Sequence, residues 1–366
     1  MPDVIVIGGG VIGLSIAWEL AGHGLSVRVL EQGAFGKESS WAGAGMLPPG
    51  NPAGARTSES RLRAAAHQMW PQWSESLTAV AGMDNEFFRC GALEVRFANP
   101  NGDSPDLLKD IQDLRAEGVD VEADELDEIR ERFPALGPDA AAAYYLPDFC
   151  QVRNPRQLQA LQIGCLKRGV ELIAGSPVRR FVASGNRIEA VEVGEQLHQA
   201  AEFVIANGAW AGQLLGQIGV SLPIEPLKGQ MVLLRATPLP FLSVIQVDRE
   251  YLVPRKDGRI LVGSTEERVG FDKRNTAHAI ADLIQFAERV VPSLKDARFE
   301  TCWAGLRPFS TTGRPYIGRL PQFANASVAV GHARHGLLLS PITAVLIRQL
   351  LLGQPVQLPQ ECQVSD

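Results

Sequence analysis

Three features of this 366-residue chain combine residue types and spacing suited to chemistry. The first is Gly8-Gly9-Gly10-Val11-Ile12-Gly13, a GxGxxG pattern directly after the apolar run Val4-Ile5-Val6-Ile7. Gly8 permits a tight turn, Gly10 lets the backbone approach a pyrophosphate, and Gly13 allows the following helix to pack closely on the strand. That helix aims N–H groups and the positive end of its dipole at phosphates. Glu31 closes the next apolar run, Val27–Leu30, 18 residues after Gly13. A carboxylate there accepts from ribose hydroxyls and repels a 2′-phosphate, which leaves FAD or NAD and disfavours NADP.

The second feature is a pair of arginines. A guanidinium presents a planar fork that matches a carboxylate. Most of the arginines here are expected in weak surface ion pairs. Arg307 and Arg334 stand apart because they lie in Trp303-Ala304-Gly305-Leu306-Arg307-Pro308 and Gly331-His332-Ala333-Arg334-His335-Gly336. An unpaired guanidinium in such apolar and glycine-rich surroundings is costly. The third feature is Ser39-Ser40-Trp41-Ala42-Gly43-Ala44-Gly45-Met46-Leu47. Small residues of this kind pass close to a bulky planar cofactor, whereas an NAD enzyme usually continues with regular βα units, so the segment favours FAD. His332 and His335 have no second ligand at metal spacing, and no metal is assigned.

The elements that position these residues read as follows. Residues 4–30 form one βαβ unit, with Ile12, Ile16, Ala17 and Leu20 on the helix and Gly22 and Gly24 at its end. Residues 39–55 read as a long ordered loop. Ser104-Pro105 opens a helix that Gly118 closes, and Asn154-Pro155 opens another that stops at Gly169. Strands are expected at Val170–Ala174, Val178–Ala183, Ile188–Val193 and Phe203–Ala206. A helix begins at Asn275 or Thr276, and a last one at Ser340-Pro341 ends at Gly353. Its positive end is expected to face the cofactor.

Composition excludes several classes. Hydrophobic residues are 45% and charged residues 21%, the balance of a globular chain able to bury a core. With 35 Lys and Arg against 41 Asp and Glu, the net charge of −6 is no footprint for nucleic acid. The six carboxylates of Asp120–Glu128 read as a solvated surface. No apolar stretch reaches the roughly 18 residues of a membrane span. Five scattered cysteines without a CxxC pair suggest a reducing compartment, and the amino terminus lacks a secretion signal, so a cytoplasmic protein is expected.

Beyond these features, Phe203-Val204-Ile205-Ala206-Asn207-Gly208-Ala209-Trp210 resembles the D-amino acid oxidase family of flavoproteins. Tyr251-Leu252-Val253-Pro254-Arg255, Gly263-Ser264-Thr265, Gly313-Arg314-Pro315-Tyr316-Ile317-Gly318 and the two arginine segments resemble, within it, the glycine oxidases of thiamine biosynthesis. The likeness runs from residue 4 to about 353. It implies an α/β fold, with a Rossmann-type FAD-binding domain (residues 1–85, 146–222 and 300–366) intertwined with a mixed-sheet substrate-binding domain (86–145 and 223–299). It also implies a homotetramer.

The resemblance further implies that Val11, Ile12, Glu31, Gln32, Ser39, Ser40, Ala44, Gly45, Met46, Val178 and His332, Ala333, Arg334, His335, Gly336, Leu337 and Leu338 contact FAD, beside Gly8, Gly10 and Gly13 of the fingerprint. From residue type alone Val178 reads as core. Arg307 is implied as the main substrate carboxylate anchor, with Arg334 and the Tyr251 hydroxyl at the same site. Arg249 and Glu266 depart from the resembled pattern, which has a His and a Met there, and leave the preferred substrate open. No cysteine lies between Arg307 and Ser340, where the covalent sarcosine oxidases carry their flavin link, so FAD is expected to be non-covalent.

The implied reaction is oxidation of glycine, sarcosine or a small D-amino acid by O2 to an imine, hydrolysed to glyoxylate and ammonia when the substrate is glycine, with hydrogen peroxide. The flavin carries most of that chemistry, and a neutral substrate amine needs no acid–base side chain. One competing reading is a D-amino acid or sarcosine dehydrogenase that reduces a quinone; peroxide formation in air separates it. Another is a flavin-dependent tRNA-modifying module, disfavoured by the acidic balance and by the lack of a methyltransferase domain.

Overall fold

The computed structural model describes residues 1–98 and 107–364. Two large sheets organise the chain. One has six strands in the order Tyr316–Arg319, Ala326–Val330, Glu202–Ile205, Val4–Ile7 (β1), Val27–Leu30 (β2) and Glu171–Ile173, all parallel except Tyr316–Arg319. The parallel strands are short and apolar because helices cover them. Between β1 and β2 runs α1, Val11–Gly22, which is buried almost all round beneath the last helix, Gly336–Leu351. Its lack of a polar face follows from that double contact.

The second sheet has seven strands in the order Arg298–Ser310, Ile224–Arg235, Arg259–Gly263, Glu250–Pro254, Val244–Val247, Ala92–Phe97 and Ala140–Leu146. It is antiparallel apart from the pairing of Val244–Val247 with Ala92–Phe97. Residues 300–310 belong to this sheet, so the border expected near residue 300 falls inside a strand. The helix Ala277–Val290 covers the sheet's other face through Leu283, Phe286, Ala287 and Val290.

Several elements differ from the reading of the sequence. Residues 39–55 contain a short helix, Ser39–Ala42, and a strand, Met46–Leu47. The pair Ser104-Pro105 lies outside the described residues, and the helix there runs over Leu108–Ala116. The last helix starts at Gly336 and carries Pro341 inside it. Proline has no N–H for the carbonyl of Leu337, and the Ser340 hydroxyl donates to that oxygen instead, at 2.9 Å. A 24-residue helix, Ser58–Ala81, went unread; Thr57 and Ser60 cap it reciprocally, and Trp70 Nε1 donates from it to the Leu338 carbonyl.

Candidate active site

A cavity of about 790 Å³ runs from the glycine turn of the six-stranded sheet to the inner face of the seven-stranded one. At its first end, the glycines are set by contact. A Cβ on Gly13 would enter the carbonyl oxygen of Gly8, and one on Gly8 would lie 2.5 Å from the Ala206 oxygen. A Cβ on Gly10 meets only Ser40 Oγ, at 3.0 Å, and otherwise faces the cavity. Ser40 Oγ accepts from the Val11 N–H at 2.9 Å. The Glu31 carboxylate accepts from Gly9 N at 2.7 Å and Gly33 N at 2.8 Å, which fixes it at the cavity wall.

The middle of the cavity is lined by the small-residue segment. Arg255, 3% exposed, holds that segment by donating to the Ala44 carbonyl at 2.7 Å and to Gln151 Oε1 at 2.6 Å. Burial lowers its pKa to about 10, still a cation at neutral pH. Trp303 Nε1 donates to the Ala42 carbonyl at 3.1 Å. Opposite stands the turn His332–His335 leading into the last helix. His332 is fully enclosed, shares a hydrogen bond with Thr343 Oγ1 at 3.1 Å, and has its pKa driven down to about 3 by burial, so it is neutral.

At the far end, one register row of the seven-stranded sheet faces the cavity. It reads Tyr144, Glu94, Gln246, Tyr251, Gly263, Met231 and Trp303 across the strands, and Tyr144, Glu94, Gln246, Tyr251 and Met231 line the cavity. The Tyr251 hydroxyl donates to Met231 Sδ at 3.4 Å. Glu94 is buried, accepts from Gln246 Nε2, and has its pKa raised chiefly by burial. Two residues along from Met231 and Trp303 is the directly paired couple Gly229 and Gly305, and beyond it Arg307. A Cβ on Gly229 would stand 2.5 Å from both terminal nitrogens of Arg307, and one on Gly305 would stand 2.6 Å from the Ala42 methyl. The glycine pair thus lets the guanidinium and the small-residue segment approach the sheet.

Arg307 Nη2 donates to Ser264 Oγ at 2.5 Å and Nη1 to the Thr265 carbonyl at 3.2 Å. Among the described residues no carboxylate pairs with it. Its partners' loop is fixed by Glu267, which pairs with the buried Lys228 at 2.8 Å and accepts from Thr265 Oγ1 and Gln230 Nε2.

Most of the residues singled out from the sequence line this one cavity, Val178 included; Gly13 and Leu338 do not. Gly13 serves helix–strand contact, and Leu338 is core beneath Trp70. Arg334, read from the sequence as lying in glycine-rich surroundings where an unpaired guanidinium is costly, has a carboxylate partner. It is 49% exposed and donates to Glu266 at 2.5 Å. Glu94, Gly229 and Arg255 were not read as site residues. The alternation Tyr251, Val253, Arg255 carries Arg255, one residue past the end of the strand, to the Tyr251 side, which was the available signal.

The residues present suit FAD: a glycine cradle that a side chain would fill, a fixed carboxylate at the second strand's end, and a long cavity shared with a guanidinium that no carboxylate among the described residues neutralises. A family description, "FAD dependent oxidoreductase" (DAO), matches residues 3–350, and the chain belongs to this D-amino acid oxidase family of FAD-dependent enzymes. A glycine oxidase of Pseudomonas putida is 36% identical over 96% of this chain and 94% of its own. A bifunctional ThiO/ThiG protein of Synechocystis is also 36% identical; its match takes in 97% of this chain and 52% of that longer protein. The crystal structure of glycine oxidase from Geobacillus kaustophilus superposes with a TM-score of 0.94 at 29% identity, covering 100% of this chain and 98% of that one.

Proposed function

We propose that the protein oxidises glycine with O2 to glyoxylate, ammonia and hydrogen peroxide, and that sarcosine and small D-amino acids are slower substrates. The observation that carries this reading is the Arg307 guanidinium, free of any carboxylate among the described residues, which lines together with Tyr251 the cavity that the glycine turn also lines. The full-length similarity to glycine oxidases supports it. The six-stranded half holds FAD and the seven-stranded half the substrate in this reading. When bound, FAD would supply the acceptor for the hydride of the substrate α-carbon and the route for its electrons to oxygen. Arg307 grips the carboxylate with its fork, and Tyr251 adds a hydroxyl donor. Gly10, Val11 and the first turn of α1 would hold the pyrophosphate, Glu31 the adenosine ribose, and Ala44–Met46 with His332–Leu337 the flavin ring. Positioning of the α-carbon is then the protein's main contribution. The similarity to ThiO/ThiG supports delivery of the glycine imine to thiazole assembly for thiamine.

Purified yellow protein incubated in air with glycine, sarcosine, D-alanine and D-proline tests the proposal. The largest kcat/KM with glycine and stoichiometric peroxide are expected. Turnover only with a quinone acceptor would contradict it and favour the dehydrogenase reading.

Two further outcomes follow. None of the five cysteines lines the cavity, which supports FAD held without a cysteinyl bond. Acid precipitation should leave the flavin in the supernatant; a yellow pellet would refute this. Gly229→Ala should lower kcat/KM for glycine by about tenfold or more, the loss of roughly one charge-assisted hydrogen bond, because the new methyl displaces Arg307. Flavin content should stay normal, as Gly229 lies away from the glycine turn.

A further inference from the structure

At the cavity wall beside Arg307, one carboxylate holds two arginines. Glu266 Oε1 accepts from Arg334 Nη2 at 2.5 Å and Oε2 from Arg249 Nη1 at 2.7 Å. All three line the same cavity as Arg307. They come from separate elements: the turn before Glu250–Pro254, the loop after Arg259–Gly263, and the turn before the last helix. Glu266 is 21% exposed, against 49% for Arg334 and 73% for Arg249, so the carboxylate is the inner member of the trio. Its backbone follows Ser264 and Thr265, which bind Arg307, and precedes Glu267, which is tied to Lys228. The main chain that carries Glu266 is thereby fixed beside the anchor.

We infer that Glu266 is a specificity-determining residue that restricts this site to substrates with a single carboxylate. The inference rests on the reading of Arg307 as the carboxylate anchor. Both oxygens of Glu266 are engaged by guanidinium groups that would otherwise bind a second acid group of the substrate. Such a group meets arginines already paired, the Glu266 charge between them, and the further carboxylates of Asp248 and Glu250, which flank Arg249 in the chain and line the same cavity. Like charges set face to face discriminate against the wrong ligand more strongly than opposite charges favour the right one.

The test uses the flavin-loaded protein and reads Kd from the change in the visible flavin spectrum, independently of turnover. Ligands are glycolate, with one carboxylate, and malonate, succinate and glutarate, with two at increasing separation. The wild-type protein should bind glycolate at least about tenfold more tightly than any dicarboxylate. Glu266→Gln keeps the side-chain shape, removes the negative charge and leaves a single amide oxygen, which accepts from only one of the two guanidiniums. It should tighten at least one dicarboxylate about tenfold and change glycolate by less than about twofold. The double variant Glu266→Gln/Arg334→Met should lose that gain. Wild-type protein that binds dicarboxylates as tightly as glycolate would overturn the inference even if the variant did not fold. So would a Glu266→Gln variant whose dicarboxylate-to-glycolate ratio is unchanged. Failure of the wild type to oxidise glycine, with these binding ratios intact, would instead count against the proposed reaction alone.

Discussion

Arg307→Lys should lower kcat/KM for glycine by about one to two orders of magnitude. Lysine keeps the positive charge but loses the fork, and a charge-assisted hydrogen bond contributes about 1.5–3 kcal/mol, at 1.36 kcal/mol per tenfold in rate. The structure sharpens the expectation. Arg307 spends Nη1 and Nη2 on the Thr265 carbonyl and Ser264 hydroxyl while reaching across Gly229, an arrangement a single ammonium cannot reproduce. Arg307→Ala should be worse, because it also removes the charge that orients the α-carbon. Both variants should stay yellow, since the glycine turn is built from β1 and α1. Normal glycine turnover in Arg307→Ala, or a colourless protein, would show that the anchor assignment is wrong.

Gly13→Ala should all but abolish FAD binding. The added Cβ would enter the Gly8 carbonyl oxygen and stand 3.3 Å from Val6 Cγ1. Neither neighbour is a flexible chain end, and Gly8 itself is pressed against the backbone of Ala206 and Asn207. The turn must open, carrying the first amides of α1 away from the phosphates. Gly10→Ala is the informative contrast. Its Cβ meets only the rotatable Ser40 hydroxyl, so the protein accommodates it and the cofactor does not. The flavin-to-protein ratio should fall in both variants, by about tenfold or more if even one charge-assisted contact is lost. The melting temperature of the flavin-free protein should fall only in Gly13→Ala. A Gly10→Ala protein fully loaded with flavin would contradict the pyrophosphate placement.

The parts of this site that were legible in the sequence are those with local signals. The fingerprint needs only a strand, a glycine turn and a carboxylate at a fixed distance, all within residues 4–31. The boundaries of α1 and of Asn154–Lys167 likewise follow from glycine and proline. What stayed hidden depends on pairing between distant segments. The role of Gly229 arises from its register opposite Gly305, and that of Arg255 from carbonyls roughly 100 and 200 residues away. Ser58–Ala81 hid behind Pro71, although Leu62, Ala66, Trp70, Trp73, Leu77 and Ala81 keep a helical period. The start of the last helix was misplaced because Ser340-Pro341 mimics a helix opening. Only the preceding turn at Ala333–His335, with Ala333 at φ +46°, shows that the helix begins at Gly336. Arg334 was distinguished by its sequence context, yet its partner Glu266 lies 68 positions away.

Anaerobic mixing of the yellow protein with glycine tests the central claim most directly. Glycine should bleach the visible flavin band completely, and admission of air should restore it with release of peroxide. The same addition to Arg307→Ala should bleach it far more slowly. A flavin band that persists in saturating glycine, while another amino acid bleaches it at once, would contradict the account.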